Sequence, residues 1–261
     1  MPNVLLIGGR GNIGSGLRTY LPQLDPTYKF VSIDLPNATD RAPTLDIEQT
    51  LVDCNIVETP DKLRELLPGR DLVIYLARTN PHDAMIQMTD LFFKSVISQN
   101  PVPMVIGASS VHAVDGAYSV HEGVLSTLSE RRFDDITDWP KRIPATLPAC
   151  PNNPYGQEKA HVEKWIQKMA DNGHSAIAAR WGGINAQNKM TKERGYFALW
   201  CHQEDAARFV HACYTAHVNS TLPSGAHYFV VSDNTYNIFD IEIPKREIGY
   251  EPIHNAEQFY T

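Results

Sequence analysis

Cysteine and long apolar runs are scarce in this sequence, and basic residues are outnumbered. The four cysteines among 261 residues include no CxxC pair and are too few for a disulfide scaffold, so we expect free, partly buried thiols at Cys54, Cys150, Cys201 and Cys213. No run approaches the roughly 18 apolar residues of a membrane-spanning helix. These absences exclude a disulfide-stapled small domain and argue against a membrane segment.

The charge balance restricts the class of partner. Lys and Arg number 23 against 30 Asp and Glu, which gives a net charge of −7. That charge argues against nucleic acid or an anionic membrane as the main partner. A small anionic ligand stays compatible with it, because backbone amides at a helix end can hold such a group locally. The ten histidines show no HxH or HxxxH cluster, so we expect no metal site.

The first residues run directly into the apolar segment Asn3–Ile7. No basic stretch precedes this segment, and a glycine-rich turn follows where a signal peptide would continue its apolar region. We therefore interpret the segment as a buried strand and expect a cytoplasmic protein.

Short apolar runs alternate with helix-like stretches along most of the chain. We predict strands at Val4–Ile7, Phe30–Ile33, Leu51–Ile56, Leu72–Leu76, Val102–Ile106, Ala176–Ala179 and His227–Val231, and helices at Gly14–Leu24, Pro60–Leu67, Ala84–Ser98, Pro154–Asp171 and Glu204–Ala216. Strands separated by helices of this length form βαβ units, which build a parallel sheet covered on both faces. The pattern predicts an α/β fold with a doubly wound parallel sheet of about seven strands.

One long region interrupts the alternation inside the predicted core. Residues 115–150 are polar, contain several prolines and show no clear period, so we predict an irregular insertion. A connection of that length within a compact domain is usually either functional or disordered. We assign it to a core domain that spans residues 1–181.

The remainder of the chain, residues 182–261, mixes core elements with segments that lack sheet periodicity. We expect residues 204–231 to complete the core. We expect residues 182–201 and 233–261 to form a small lobe over the carboxyl ends of the strands, the edge at which open α/β sheets bind ligands.

A glycine-rich turn joins the first predicted strand to the first predicted helix. Its glycines are Gly8, Gly11 and Gly14, and Arg10, Asn12 and Ile13 lie between them. In such a turn one glycine permits the tight bend, one lets the backbone approach a pyrophosphate, and one lets the helix pack on the strand. Because the turn follows a strand and opens a helix, the context predicts a dinucleotide-binding site.

Asp34 closes the second predicted strand, 20 residues after Gly14. A carboxylate at this position accepts hydrogen bonds from an adenosine ribose and repels a 2′-phosphate. It therefore favours NAD over NADP. Arg10 and Arg41 are candidate partners of a 2′-phosphate, so NADP stays open.

Tyr155 and Lys159 lie four residues apart at the start of the long helix, so their side chains share one helix face. A tyrosine titrates near pH 10 (roughly) and is a poor base at neutral pH. We expect the ammonium of Lys159, together with a positively charged nicotinamide ring, to lower that pKa and stabilise the phenolate. Tyr155 could then exchange a proton with a substrate hydroxyl as hydride moves to or from nicotinamide.

A serine pair follows the predicted strand at 102–106. Ser109 and Ser110 would therefore lie at the ligand-binding edge of the sheet. We expect the Ser110 hydroxyl to hydrogen-bond the reacting oxygen and orient it towards Tyr155.

The glycine turn, the acidic residue, the strand-end serine and the Tyr-x-x-x-Lys pair, in this order, resemble the extended short-chain dehydrogenase/reductase superfamily and its NAD-dependent epimerase/dehydratase family. The resemblance covers nearly the whole chain and implies a Rossmann fold. It also implies that Tyr155 and Lys159 contact the cofactor as well as the substrate, and that Ser110 is the catalytic hydroxyl. It further implies that the cofactor is lined by Leu76, Ala77 and Arg78 and, near the adenine, by Asn55 and Ile56.

Within that superfamily the short C-terminal part is most similar to uronate dehydrogenase, a family that oxidises the anomeric carbon of a free hexuronic acid with NAD. The similarity implies substrate contacts from Ser109 and His112. In that family a serine follows an Arg-x-Gly motif, and Gly183 occupies the corresponding position here. The arginine that would bind the substrate carboxylate has no certain equivalent; the candidates are Lys189, Lys192 and Arg194.

These observations predict an NAD-dependent oxidoreductase that acts on a small sugar or sugar acid. Two alternatives stay open. One is an epimerase of the same fold whose bound NAD is not consumed, and the other is a non-catalytic NAD(P)-sensing regulator. The resemblance also implies a homodimer that pairs through the helices at 84–98 and 154–171.

Overall fold

The computed structural model describes residues 2–42, 49–193 and 195–260. Within these residues the chain forms one seven-stranded sheet. Its strands are β1 (Asn3–Ile7), β2 (Lys29–Asp34), β3 (Gln49–Asp53), β4 (Leu72–Tyr75), β5 (Met104–Ser110), β6 (Ala176–Trp181) and β7 (His227–Val230).

Helices connect the strands and cover both faces of the sheet. The α-helices are α1 (Asn12–Leu24), α2 (Pro60–Leu66), α3 (His82–Ile97), α4 (Glu122–Ser129), α5 (Pro154–Asp171), α6 (Tyr196–Leu199), α7 (Gln203–Val218) and α8 (Glu242–Ile248). Three 3₁₀ segments lie at Val111–His121, Phe133–Asp135 and Ala256–Phe259.

The strand order is β3-β2-β1-β4-β5-β6-β7, and every neighbouring pair is parallel. The order reverses direction beside β1, between β1 and β4. In an open α/β sheet a ligand crevice forms at such a point, outside the carboxyl ends of the strands. The predicted fold class is therefore confirmed, and the reversal places the crevice next to the glycine-rich turn.

The core follows the two-residue period of the buried strands. In β1, Val4 and Leu6 face one layer with α1 and α7, whereas Leu5 and Ile7 face the opposite layer with α3 and α5. Because both faces of the sheet are covered, most strands are largely apolar. These apolar runs are what predicted the strands from the sequence.

The end of β5 differs from its prediction. We predicted a strand at 102–106 with the serines in the following turn, but β5 runs from Met104 through Ser110. Its last residues pair with β6, with Ser109 opposite Arg180 and Ser110 opposite Trp181. Small residues allow this extension: a Cβ on Gly107 would lie 2.7 Å from the side chain of Val162 on α5.

The third strand is also shifted from its prediction. It occupies Gln49–Asp53 rather than Leu51–Ile56. The chain leaves the sheet after Asp53 because Asn55 forms a local turn, in which its side chain accepts a hydrogen bond from the Val57 amide (3.1 Å).

The prediction of an irregular insertion at 115–150 was wrong in part, because α4 and two of the 3₁₀ segments lie within or across it. The insertion also contributes to a third apolar cluster, in which Leu128, Ile143 and Ala145 pack near Phe229 and Phe239. Its apolar side chains are spaced too irregularly to give a helix or strand period, so only the fold reveals their burial.

Segments 182–201 and 233–261 supply α6, α8 and the last 3₁₀ segment, and several of their apolar residues join the same third cluster. The division of the chain into a core domain and a substrate lobe stays a prediction. No helix in the described part of the chain combines the length and apolar character that a bilayer crossing needs.

Candidate active site

The glycine-rich turn is formed at two positions that only glycine fits. Gly8 adopts a φ of +89°, and a Cβ there would lie 2.8 Å from the backbone nitrogen of Ala77. A Cβ on Gly14 would lie 2.5 Å from the Cα of Gly9. The first constraint bends the chain beside β4, and the second holds the start of α1 against the turn.

The start of α1 is open to an anionic ligand. Gly11 is its N-cap and provides no side-chain cap, and the first turn contains no acidic residue. A Cβ on Gly11 would meet only the carbonyl oxygen of Gly8 at 3.5 Å, so this backbone faces comparatively open space. Uncapped amides and the helix dipole make such an end suitable for a phosphate group.

A cavity of about 880 Å³ lies beside this turn, between the carboxyl ends of β1, β2 and β4. Its size suits an adenosine-containing ligand. Of the residues predicted to bind the cofactor, those that line it are Gly8, Arg10, Gly11, Asn12, Asp34, Asn55, Ile56, Leu76, Ala77 and Arg78. Sequence reasoning missed Leu35, Thr79, Ala84 and Met88, which also line it.

Asp34 lies at the wall of this cavity with its carboxylate partly engaged. One oxygen accepts from the Arg10 amide (2.9 Å) and the other from the Leu35 amide (2.9 Å). Each carboxylate oxygen can accept further bonds, so Asp34 can still receive two ribose hydroxyls.

The two arginines considered for a 2′-phosphate both have partners inside the protein. The Arg10 guanidinium lies 2.6 Å from Asp53 and donates to the Leu35 carbonyl (3.1 Å). Arg41 donates to the side-chain oxygen of Asn12. The arrangement around Asp34 fits an unphosphorylated ribose better than a 2′-phosphate.

A second cavity, of about 250 Å³, adjoins the first. The two share Gly8, Gly11, Asn12, Leu76 and Arg78 as lining residues. The remaining predicted cofactor residues, Ile13 and Gly14, line the second cavity, together with Ser110, Tyr155 and Lys159. The structure therefore brings the predicted catalytic residues to one end of the predicted cofactor site.

Tyr155 and Lys159 share one face of α5, as their spacing predicted. The Lys159 ammonium lies 5.4 Å from the centroid of the Tyr155 ring. Lys159 is 4% exposed, and this burial lowers its pKa from the ordinary 10.5 to about 8. Near neutral pH the amine therefore carries its charge, at a cost to the folded state.

Without a nicotinamide ring, the pKa of Tyr155 is raised rather than lowered, and the lowering expected with the cofactor bound stays a prediction. Burial raises the pKa of the phenol above 10.0, and the opposing influences of Ser110 and of the Arg78 charge do not reverse it. Desolvation disfavours the phenolate more than the neighbouring groups favour it. The phenol of Tyr155 is therefore protonated at neutral pH.

The two serines of β5 point to different partners. Ser110 is buried and opposes the rise of the Tyr155 pKa, and its oxygen accepts from the His112 amide (3.2 Å). The Ser109 hydroxyl instead donates to the Glu163 carboxylate (2.6 Å), which also accepts two hydrogen bonds from the Arg180 guanidinium (2.8 and 2.9 Å). Ser109 also lines the second cavity, so its predicted substrate contact stays a prediction.

His112 lies beside Tyr155 but does not line either cavity. The two rings meet edge to face with centroids 5.5 Å apart. Nδ1 of His112 lies 3.0 Å from the buried Asp115, which also accepts from Asn153. Asn153 in turn caps α5 by accepting from the Gly156 amide (2.8 Å). Sequence reasoning missed Asp115, since nothing in its neighbourhood marks it as a partner of the catalytic helix.

The residues considered for a substrate carboxylate are not found in the two cavities as described. Lys189 and Lys192 are exposed and line neither cavity. The third candidate, Arg194, lies outside the described residues. The assignment of a carboxylate-binding residue among the three stays a prediction.

The fold also assembles a group that histidine spacing did not reveal. Ligand atoms of His202, Glu204 and His254 lie within 4.8 Å of one another. However, Nδ1 of His202 accepts from the Glu204 amide (3.0 Å), which leaves the ring proton on Nε2. The Glu204 carboxylate already accepts from Arg208 (3.2 Å) and contacts His254 (3.0 Å). These bonds tie the start of α7 to the C-terminal segment.

Comparison with known proteins agrees with this geometry. The model of the NAD dependent epimerase/dehydratase family matches residues 4–182. No curated protein matches the sequence. Among solved structures, a mutated uronate dehydrogenase is 18% identical with a TM-score of 0.71, and the match covers 99% of this chain and 84% of that one.

Two further solved structures contain NAD. The dTDP-glucose 4,6-dehydratase from Bacillus anthracis is 16% identical with a TM-score of 0.71, and the match covers 99% of this chain and 94% of that one. The UDP-glucose 4-epimerase from Brucella ovis is 14% identical with a TM-score of 0.66, and the match covers 99% and 98%. At these identities the likeness concerns the fold.

Proposed function

Because the chain belongs to the NAD dependent epimerase/dehydratase family, we propose that it is an NAD-dependent oxidoreductase of a small sugar or sugar acid. In this proposal hydride passes between the cofactor and a hydroxyl or carbonyl carbon of the substrate, and Tyr155 exchanges the accompanying proton.

The observation that carries the proposal is the junction of the two cavities. The larger one, with Asp34 at its wall and the uncapped start of α1 beside it, fits the adenosine and diphosphate of a dinucleotide. The smaller one continues from it and is lined by Ser110, Tyr155 and Lys159. NAD, when bound, supplies the nicotinamide that accepts or returns hydride.

The residues have separate roles in this reaction. The Ser110 hydroxyl, which lines the same cavity as Tyr155, holds the substrate oxygen next to the phenol. Tyr155 takes the hydroxyl proton in oxidation and gives it back in reduction. Lys159 brings a positive charge close to the ring and stabilises the phenolate when it forms. Since the pKa of Tyr155 is raised, we expect the rate of oxidation to increase with pH above neutrality.

The proposed substrate class rests on one similar structure and on the residues that follow the serine. A uronate dehydrogenase is among the similar structures and is compatible with a sugar acid. Dehydration is disfavoured, because Val111 and His112 follow the serine where dehydratases of this superfamily have adjacent Asp and Glu.

The test is a panel of free hexuronic acids, aldonic acids and neutral hexoses with NAD or NADP, followed by the absorbance of reduced nicotinamide. We expect Tyr155→Phe to lose at least a hundredfold in turnover on the active substrate while it keeps NADH affinity, measured by cofactor fluorescence. The matched control is Tyr214→Phe, which removes a hydroxyl from α7 on a residue that lines neither cavity. Unchanged turnover in Tyr155→Phe would remove this residue from the mechanism.

An epimerase with a bound, unconsumed NAD is the second candidate, and epimerases occur among the similar structures. Net NADH formation with a substrate separates the two, because an epimerase returns the hydride. A non-catalytic redox sensor is a weaker alternative, since such a protein has no need to retain Tyr155 and Lys159 in one cavity.

A further inference from the structure

Arg78 lies at the junction of the two cavities and lines both. It follows β4, and its guanidinium carbon lies 5.0 Å from the centroid of the Tyr155 ring. A guanidinium at this distance from an aromatic ring interacts favourably with its π electrons. Its positive charge also favours the ionised form of the phenol. The site therefore contains a second cation beside Lys159.

A buried carboxylate fixes the position of this cation. Glu158 is 2% exposed and accepts from Nε of Arg78 at 3.0 Å and from Nη2 at 3.5 Å. His82 is a more distant neighbour, with Nδ1 3.7 Å from the same carboxylate. Because an unpaired buried carboxylate is costly, Glu158 holds Arg78 in place over Tyr155.

The two members of this pair act in opposite directions on both titrating groups of the site. The positive charge of Arg78 lowers the pKa of Tyr155 and of Lys159, whereas the negative charge of Glu158 raises both. The other groups that face Tyr155 are Ser110 from β5 and, from the 3₁₀ segment that follows, Asp115 and the His112 ring.

We propose that Arg78 and Glu158 form a positioning ion pair that controls the exchange of protons at Tyr155 and Lys159. Arg78 stabilises the phenolate from the face of the ring, and Glu158 anchors Arg78 and limits its effect. Neither is a catalytic residue, because each acts through Tyr155 and Lys159. The assignment of a reaction to Tyr155 rests on the proposed function, but the protonation states themselves can be measured without turnover.

The experiment is a pH titration of the Lys159 resonance in protein labelled with [ε-¹³C]lysine, assigned by its loss in Lys159→Met. We expect Glu158→Gln to lower the midpoint by about one pH unit and Arg78→Gln to raise it by less, since both charges act on Lys159 but the Arg78 side chain is 42% exposed and partly screened by solvent. Arg78→Lys, which keeps the charge, should restore most of the wild-type midpoint. Arg64→Gln, on the exposed surface of α2, is the matched control and should leave the midpoint unchanged.

A double variant guards against misfolding of the single variants. Arg78→Gln with Glu158→Gln removes both charges and should return the midpoint close to that of the wild type. A purely structural pair would change the melting temperature without moving the two single-variant midpoints in opposite directions. Midpoints that stay fixed, or that move in the same direction, would overturn the proposal.

Activity gives an independent second measurement. Once a substrate is found, the pH at which oxidation becomes half-maximal should rise in Arg78→Gln and fall in Glu158→Gln, because Tyr155 responds in the same sense as Lys159. Opposite NMR shifts without any NAD-dependent turnover would refute the proposed function and leave the ion pair standing. NAD-dependent turnover with unchanged Lys159 midpoints would support the proposed function and refute the role of the ion pair.

Discussion

Lys159 provides a sharp test of the energetics, because its charge is buried in the folded protein and solvated in the unfolded chain. We predict that Lys159→Met abolishes turnover but makes the folded protein more stable at neutral pH. Methionine fills a similar volume without a charge, and Glu158 keeps Arg78 as its partner.

The magnitude follows from the pKa of Lys159, which falls from 10.5 in the unfolded chain to about 8 in the folded protein. This difference corresponds to about 3 kcal/mol of lost stability when the amine is charged in both states. The group is more basic when unfolded, so the loss is fully present below about pH 8. It fades as the pH rises towards 10.5, where the unfolded chain also gives up the proton. Allowing for the lost packing of the lysine stem, we expect Lys159→Met to gain about 1–3 kcal/mol at pH 7.

The assay is urea denaturation at pH 6, 7, 8, 9 and 10, with the free energy of unfolding compared between the variant and the wild type. The advantage of Lys159→Met should be constant up to about pH 8 and shrink above it. Lys164→Met, at an exposed position of the same helix, is the control and should differ from the wild type by no more than about 0.5 kcal/mol at every pH. A variant that is less stable at pH 7, or an advantage that does not depend on pH, would refute the reasoning.

Two further predictions concern the cofactor site and are read by NADH and NADPH fluorescence titration. Asp34→Ala should weaken NADH binding by about tenfold, because hydrogen bonds from ribose hydroxyls to the carboxylate are lost, whereas NADPH binding should stay the same or improve. Asp61→Ala on α2 is the control. An equal loss of affinity for both cofactors would count against the ribose contact. Gly14→Ala should weaken NADH binding at least tenfold and cost about 1–3 kcal/mol of stability, since its Cβ would lie 2.5 Å from the Cα of Gly9. Gly123→Ala is the control and should leave NADH binding unchanged, because no atom lies within 4 Å of the added Cβ. Normal NADH binding by Gly14→Ala would contradict the tight turn.

Local patterns in the sequence were sufficient for the fold and for one edge of the site. Strands buried on both faces have continuous apolar runs, and helices between them enforce parallel pairing, so the seven-stranded sheet was predictable. Gly14 is required by its contact with Gly9 within the same turn, and the positive φ of Gly8 suits the bend. Tyr155 and Lys159 share a face because four residues make about one helical turn. Each of these inferences depends on residues that are close in the chain.

The tertiary structure alone decided what surrounds those residues. Arg78 and Glu158 are 80 positions apart, and Ser109 and Glu163 are 54 apart, so no spacing rule connects them. The raised pKa of Tyr155 in the protein without cofactor has the same origin: the sequence shows the neighbouring lysine, but it does not show the desolvation of the phenol. Periodicity and turn chemistry are short-range properties that the sequence carries directly. Burial and electrostatic partners depend on which distant segments pack together, and they arise only when the sheet and its helices have assembled.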